Sequence, residues 1–321
     1  VVVIGIVGAG AWGTAVGDLV ASQGSAALLW SDSAEIAKEI NEKHTNERHL
    51  PGAALAPVLR ATADLAELAG AAQLLLLAVS SPRVEATVRA LGEVVNGRHV
   101  IVHAIGAQTV TGRVSELLRR ETPVKRVGVV AGPAMAKDLV ARRPCGIVVA
   151  SPFDGVTTMV RHALEAPTLR VYRSSDLAGV ELASALTGAF TVAFGLADAI
   201  GMGTGPRAVL LCRALAEATR LGVASGARER TFAGLAGLGN LVVRASSESS
   251  DDYQLGFKLG RGEPPVRRET EGTRAAQALV PLARTLGVRV PILEGLTAVV
   301  TGAVTVREMV TRLMESHSDE E

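Results

Sequence analysis

Val3-Ile-Gly-Ile-Val-Gly8-Ala-Gly10-Ala11-Trp12-Gly13 is a β-branched run that breaks into three glycines at the spacing GxGxxG. Each glycine has a separate steric task. Gly8 permits a tight turn, Gly10 lets the backbone approach a pyrophosphate, and Gly13 allows a helix to pack closely on the strand. Backbone N–H groups at the helix N-terminus then meet phosphates without help from a basic side chain. The stretch therefore predicts a strand, a phosphate-binding turn and a helix, with Ala11 and Trp12 opening the helix as further cofactor-site residues. Asp32, 19 residues past Gly13, follows the next apolar run, Ala27–Trp30. A carboxylate there can accept hydrogen bonds from both ribose hydroxyls and would repel a 2′-phosphate, which favours NAD(H) over NADP(H). The alternative is that Asp32 only caps the helix that follows it.

Outward from this stretch, apolar runs alternate with helical periodicity. Val1–Val7, Ala27–Trp30, Leu74–Ala78, Val100–Ala104, Val127–Ala131 and Gly146–Ala150 read as strands, and Val171-Tyr172 as a last one. Such unbroken Val/Ile/Leu runs suit a parallel sheet covered on both faces. Ala11–Gln23, Ser33–Glu42 and Arg83–Leu91 read as helices between them, so the first part is α/β and doubly wound. Later patterns are long and helical: Leu177–Ile200, Arg207–Ser225, Arg230–Leu235, Glu271–Leu286 and Thr305–Met314. Loops are expected at Met202–Pro206 and Ser246–Asp252. The implied organisation is a Rossmann-like domain over 1–175, an all-helical domain over 176–315 and a polar tail over 316–321.

Bulk composition excludes several functions. With 33 basic and 32 acidic residues among 321, the net charge of +1 gives no reason to propose nucleic acid or an acidic membrane as partner. Arg119-Arg120, Arg142-Arg143 and Arg267-Arg268 are isolated pairs. The histidines are scattered without metal-ligand spacing, so no metal site is expected. Cys145 and Cys212 are expected as buried small hydrophobes. The uncharged stretch Leu182–Ala197 is bounded by Glu181 and Asp198 and reads as a core helix rather than a membrane span. The chain is read as cytoplasmic.

Several segments carry a resemblance in order along the chain: Gly8-Ala-Gly-Ala-Trp-Gly-Thr-Ala15, Leu50-Pro-Gly52, Gly132-Pro-Ala-Met-Ala136-Lys137, Gly179-Val-Glu-Leu182 and Thr231-Phe-Ala-Gly-Leu-Ala-Gly-Leu-Gly239. Glu271-Gly272 and Leu286-Gly-Val-Arg-Val-Pro291 continue it. Together they resemble bacterial NAD(P)-dependent glycerol-3-phosphate dehydrogenase. The resemblance implies a Rossmann domain followed by a helical domain of the 6-phosphogluconate dehydrogenase C-terminal type, an active site between them, a dinucleotide cofactor held in part by Ala136, and a homodimer.

It also implies chemistry that this chain does not spell out. Family members reduce dihydroxyacetone phosphate, which needs a proton donor at the carbonyl oxygen and cations for the phosphate. The resemblance assigns two lysines to this work, at positions that read Ile105 and Thr187 here. Its aspartate after Gly239 reads Asn240, its asparagine ahead of Arg207 reads Gly205, and its Ser-Arg-Asn clamp reads Ser250-Asp251-Asp252. Two carboxylates facing a phosphate would repel it. His103 and Lys137 are weak substitutes for the donor, and Arg207, Asn240, Asp251, Asp252 and Glu271 are candidate residues of the substrate site. The expectation is an NAD(H)-binding relative impaired in, or lacking, the family's activity, with a binding or regulatory role and a protein partner not identified by sequence. The alternative is an active NAD-dependent oxidoreductase, on the family's substrate or on a non-phosphorylated one.

Overall fold

A computed structural model describes residues 3–106, 112–248, 250–264 and 269–315. Arg267-Arg268, the tail 316–321 and the first two residues of the expected opening strand lie outside the described residues. The chain forms two compact units. One contains the residues up to Ile105 and from Arg113 to Leu177, and the other runs from Ala178 onward together with Gly106 and Gly112.

In the first unit, eight strands make one sheet: β1 (Ile4–Val7), β2 (Ala27–Trp30), β3 (Arg60–Thr62), β4 (Leu74–Leu77), β5 (Val100–His103), β6 (Arg126–Ala131), β7 (Cys145–Ala150) and β8 (Leu169–Ser174). Their order is β3-β2-β1-β4-β5-β6-β7-β8, and every neighbouring pair is parallel except β6 with β7. β1 and β4 are buried at every residue, as strands covered on both faces must be. The covering helices are α1 (Ala11–Ser22), α2 (Ala34–Lys43), α3 (Leu65–Ala71), α4 (Val84–Val94), α5 (Val114–Glu121), α6 (Ala136–Val140) and α7 (Asp154–Leu164). Chain direction across the sheet reverses between β1 and β4, and in open α/β sheets ligands bind at the carboxyl ends of strands beside such a reversal.

The helical unit holds α8 (Leu177–Ala199), α9 (Thr204–Ala224), α10 (Glu229–Phe232), α11 (Asn240–Ala245), α12 (Asp251–Gly260), α13 (Glu271–Thr285), α14 (Pro291–Val300) and α15 (Val306–Glu315). α8 is the one helix among the described residues long and apolar enough to cross a bilayer, and it is the core of this unit, with Phe190 and Phe194 fully buried. Its approach to α12 is backbone on backbone. A methyl group at Gly195 would overlap the Tyr253 carbonyl oxygen, and one at Gly256 the Val192 carbonyl oxygen.

Several expectations need correction. β3 has only three residues at the sheet edge, too few for a periodic signal. Thr204 to Pro206 form the first turn of α9 rather than a loop, because proline costs nothing where N–H groups have no intrahelical partner. Likewise Asp251 and Asp252 begin α12. Cys212 is exposed on α9, and Cys145 is only partly buried.

Glu217 is a buried acid of the helical core. Its two carboxylate oxygens accept from the Ile292 and Leu293 N–H groups at 2.9 and 3.0 Å, closing the first turn of α14. Burial pushes its carboxyl up to about 7, against the pull of those two N–H bonds. A folded-state pKa raised by burial means that the stability contributed by the protonated acid is complete below the ordinary carboxyl range and is lost as pH rises through about 7. Glu217→Gln should therefore be less stable than wild type at pH 5. The gap should narrow towards pH 8, by up to about 3 kcal/mol, in parallel urea titrations.

Candidate functional site

The turn between β1 and α1 is shaped by steric necessity. Gly8 has φ +123°, and a Cβ there would lie 2.7 Å from the Ala78 carbonyl oxygen at the end of β4. A Cβ on Gly13 would overlap the Gly8 carbonyl oxygen. Gly10, by contrast, faces open space, and no side chain caps the N-terminus of α1. Open space in front of uncapped helical N–H groups fits a dinucleotide pyrophosphate. Gly8, Gly10, Ala11, Trp12 and Gly13 would hold it through their backbone, and the dinucleotide would supply or accept the hydride.

Two side chains brace the turn. Trp12 Nε1 donates to the Ala134 carbonyl at 3.0 Å, tying α1 to the segment that starts α6 at Ala136. Asn46, fully buried, donates from Nδ2 to the Ala9 carbonyl at 2.9 Å and to Thr14 Oγ1 at 2.8 Å. Asn46 has no sequence signal, because its partners lie more than 30 residues away. Asp32 does not cap α2: Ser33 does, accepting from the Ile36 N–H. The Asp32 carboxylate is instead ion-paired with Arg83.

The other candidates divide by environment. His103 ends β5 fully buried, with Nδ1 accepting from the Ile105 N–H at 3.4 Å. Ile105 is 4% exposed, and Lys137 is exposed at the start of α6. Thr187, 2% exposed on α8, donates its hydroxyl to the Ala183 carbonyl at 2.9 Å within its own helix. Asn240 is buried at the start of α11. Arg207 is committed to Asp198, to the Ala245 carbonyl and to the face of Phe194, 5.4 Å from its ring centroid. Tyr253 also donates to Asp198, and burial raises its hydroxyl pKa to about 12.

Asp252 is 2% exposed and accepts from the Gly272 N–H at 2.8 Å and from Arg244 Nη2 at 3.2 Å. Arg244 also reaches Glu271 at 3.5 Å. The same guanidinium borders Gly106, where a methyl group would lie 3.5 Å from Arg244 Nη1 and 3.1 Å from Ser184 Oγ. Burial pushes the Asp252 carboxyl up, while Arg244 draws it down. A guanidinium shared by two carboxylates can hold a fixed positive charge in a buried place but cannot give up a proton at neutral pH.

Residues 3–155 match the NAD-dependent glycerol-3-phosphate dehydrogenase N-terminus, and residues 176–311 match the C-terminus of the same family. The chain belongs to the NAD-dependent glycerol-3-phosphate dehydrogenase family. It is 36% identical over 318 residues to glycerol-3-phosphate dehydrogenase [NAD(P)+] of Parvibaculum lavamentivorans, covering 97% of this chain and 96% of that one. It is also 36% identical over 321 residues to the protein of that name from Streptomyces coelicolor, covering 96% of each. The crystal structure of glycerol-3-phosphate dehydrogenase from Coxiella burnetii superposes with TM-score 0.90 at 26% identity, over 98% of both chains. A D-mandelate dehydrogenase structure with NADH, at TM-score 0.64 and 16% identity, shares the fold alone.

Within this family fold, the expected repulsive pair of Asp251 and Asp252 is corrected. Neighbours on a helix point about 100° apart, so Asp251 is exposed while Asp252 turns inward and is neutralised by Arg244. Glu271 belongs to the same ion cluster. Arg244 is the residue that motif reading misses, since nothing in Leu241-Val-Val-Arg244 marks it. Arg244→Leu would leave Asp252 buried without a counter-ion and should cost about 3 kcal/mol in urea unfolding. Adding Asp252→Asn should recover part of that loss; strictly additive effects of the two changes would contradict the pairing.

Proposed function

We propose that this chain is an NAD(H)-binding member of the family in which reduction of dihydroxyacetone phosphate is impaired. The observation that carries this is the chemistry at two positions the resemblance assigns to lysines. Ile105 offers an aliphatic chain, and Thr187 offers a hydroxyl spent on its own helix. Neither can protonate a carbonyl oxygen or hold a phosphate. Loss of a general acid costs about 10²–10⁴ in rate and loss of a transition-state charge stabiliser about 10²–10³, and the two need not multiply at one site. The NAD(H) preference rests on Asp32, and the resemblance supports a cytoplasmic homodimer.

A second reading, retained oxidoreductase activity on glycerol 3-phosphate and dihydroxyacetone phosphate or on a different, non-phosphorylated substrate, is favoured by two observations. Proteins named glycerol-3-phosphate dehydrogenase are 36% identical over nearly the full chain. Arg244 also keeps one fixed cation beside Gly106, among Asp252 and Glu271. Where the substrate differs from the family's, it would be non-phosphorylated, because the carboxylates already claim that cation.

Calorimetric titration with NADH should show binding, while dihydroxyacetone phosphate reduction should run at least about a hundredfold below a homologous dehydrogenase. Turnover within that margin would refute the impairment. A metabolite screen followed by NADH absorbance separates the second reading from the first, and any activity it finds should survive Lys137→Ala, since that side chain stands exposed on α6.

A further inference from the structure

The residue that should exclude a 2′-phosphate is not a lone carboxylate. Arg83 ends the short helical turn Ser81–Arg83 that follows β4, and its guanidinium is ion-paired with Asp32 at the end of β2. β4 and β2 lie on either side of β1, so the two side chains converge beside the carboxyl end of the strand that carries the glycine turn. One further group stands in electrostatic reach. His49 is held below the ordinary imidazole range by burial first, then by Arg48 and Arg83, with Asp32 opposing. Asp32 thus shares this corner with the Arg83 guanidinium and the His49 imidazole.

Exposure decides how firmly the pair holds. The Arg83 and Asp32 side chains are 59% and 50% exposed, so water screens them and the pair is easily exchanged for a better partner. A phosphate dianion is a better partner, because it meets the planar guanidinium fork through two oxygens and brings more charge than a carboxylate. A dinucleotide whose pyrophosphate sits on the Gly8–Gly13 turn brings its adenosine ribose to the end of β2. With an unmodified ribose, Asp32 takes the hydroxyls and Arg83 stays beside it. With a 2′-phosphate, Arg83 leaves Asp32 for the phosphate and offsets the repulsion.

We infer that Arg83 is a cofactor-specificity residue, which lets the site accept NADP(H) alongside NAD(H) and narrows the discrimination Asp32 would impose alone. This rests on the dinucleotide reading of the glycine turn. The test is fluorescence titration of the full-length protein with NADH and with NADPH, in wild type, Arg83→Ala and Asp32→Ala. In wild type the NADPH Kd should lie within about tenfold of that for NADH. Arg83→Ala should weaken NADPH by at least about tenfold and shift NADH by less than about threefold, and NADPH binding to wild type should be the more salt-sensitive. Asp32→Ala should move the balance the other way. Because Arg83 is exposed, an unchanged melting temperature will show that the variant folds. Equal loss of both cofactors in Arg83→Ala, no loss of either, or wild type binding NADH alone would each overturn the inference. Failure of wild type to bind either cofactor would overturn the nucleotide site itself, and Arg83 with it.

Discussion

The Gly8 carbonyl oxygen occupies the space that any side chain at residue 13 would need, and the first unit is organised by that contact. It sets how closely α1 can follow β1, and so where the uncapped N-terminus of α1 stands relative to the sheet's reversal between β1 and β4. Trp12, Thr14 and Asn46 then bond to the turn or its neighbours from three directions. A phosphate site made of backbone must be rigid, because backbone N–H groups cannot rotate to seek their ligand as a lysine can. Gly10 is the one glycine of the three that keeps open space before it. That asymmetry separates the two glycines required by packing from the one that packing leaves free.

Charge in the helical unit is arranged on a different principle. Buried and half-buried acids there are given partners. Glu217 accepts two N–H groups of α14, Asp198 takes Arg207 and the Tyr253 hydroxyl, and Asp252 takes Arg244 and the Gly272 N–H. Desolvating a carboxylate is costly enough that each must be matched locally or protonated. The match absorbs the very arginines that could otherwise have met an anionic ligand. Arg207 and Arg244 are present as residues but already engaged as charges.

Much of the architecture was legible beforehand because it is written in local periodicity. Continuous apolar strands, a glycine turn at fixed spacing and an uncharged helix led directly to the sheet, the tight turn between β1 and α1 and the core helix α8. What escaped had little local signal. β3 is only three residues long, and Asn46 acts on Ala9 and Thr14 across a long sequence separation. The pairing of Arg83 with Asp32 spans 51 positions and joins strands that are neighbours of β1 but not of each other.

By itself the sequence determined the class of fold and the glycine turn at the end of β1, because both follow from spacing along the chain. Only the tertiary structure decided which charges are available to a ligand. Asp251 and Asp252 are adjacent letters, yet one faces water and the other a buried guanidinium. The reason is physical: a side chain's charge acts through its distance and its dielectric surroundings, and both are set by residues far away in sequence.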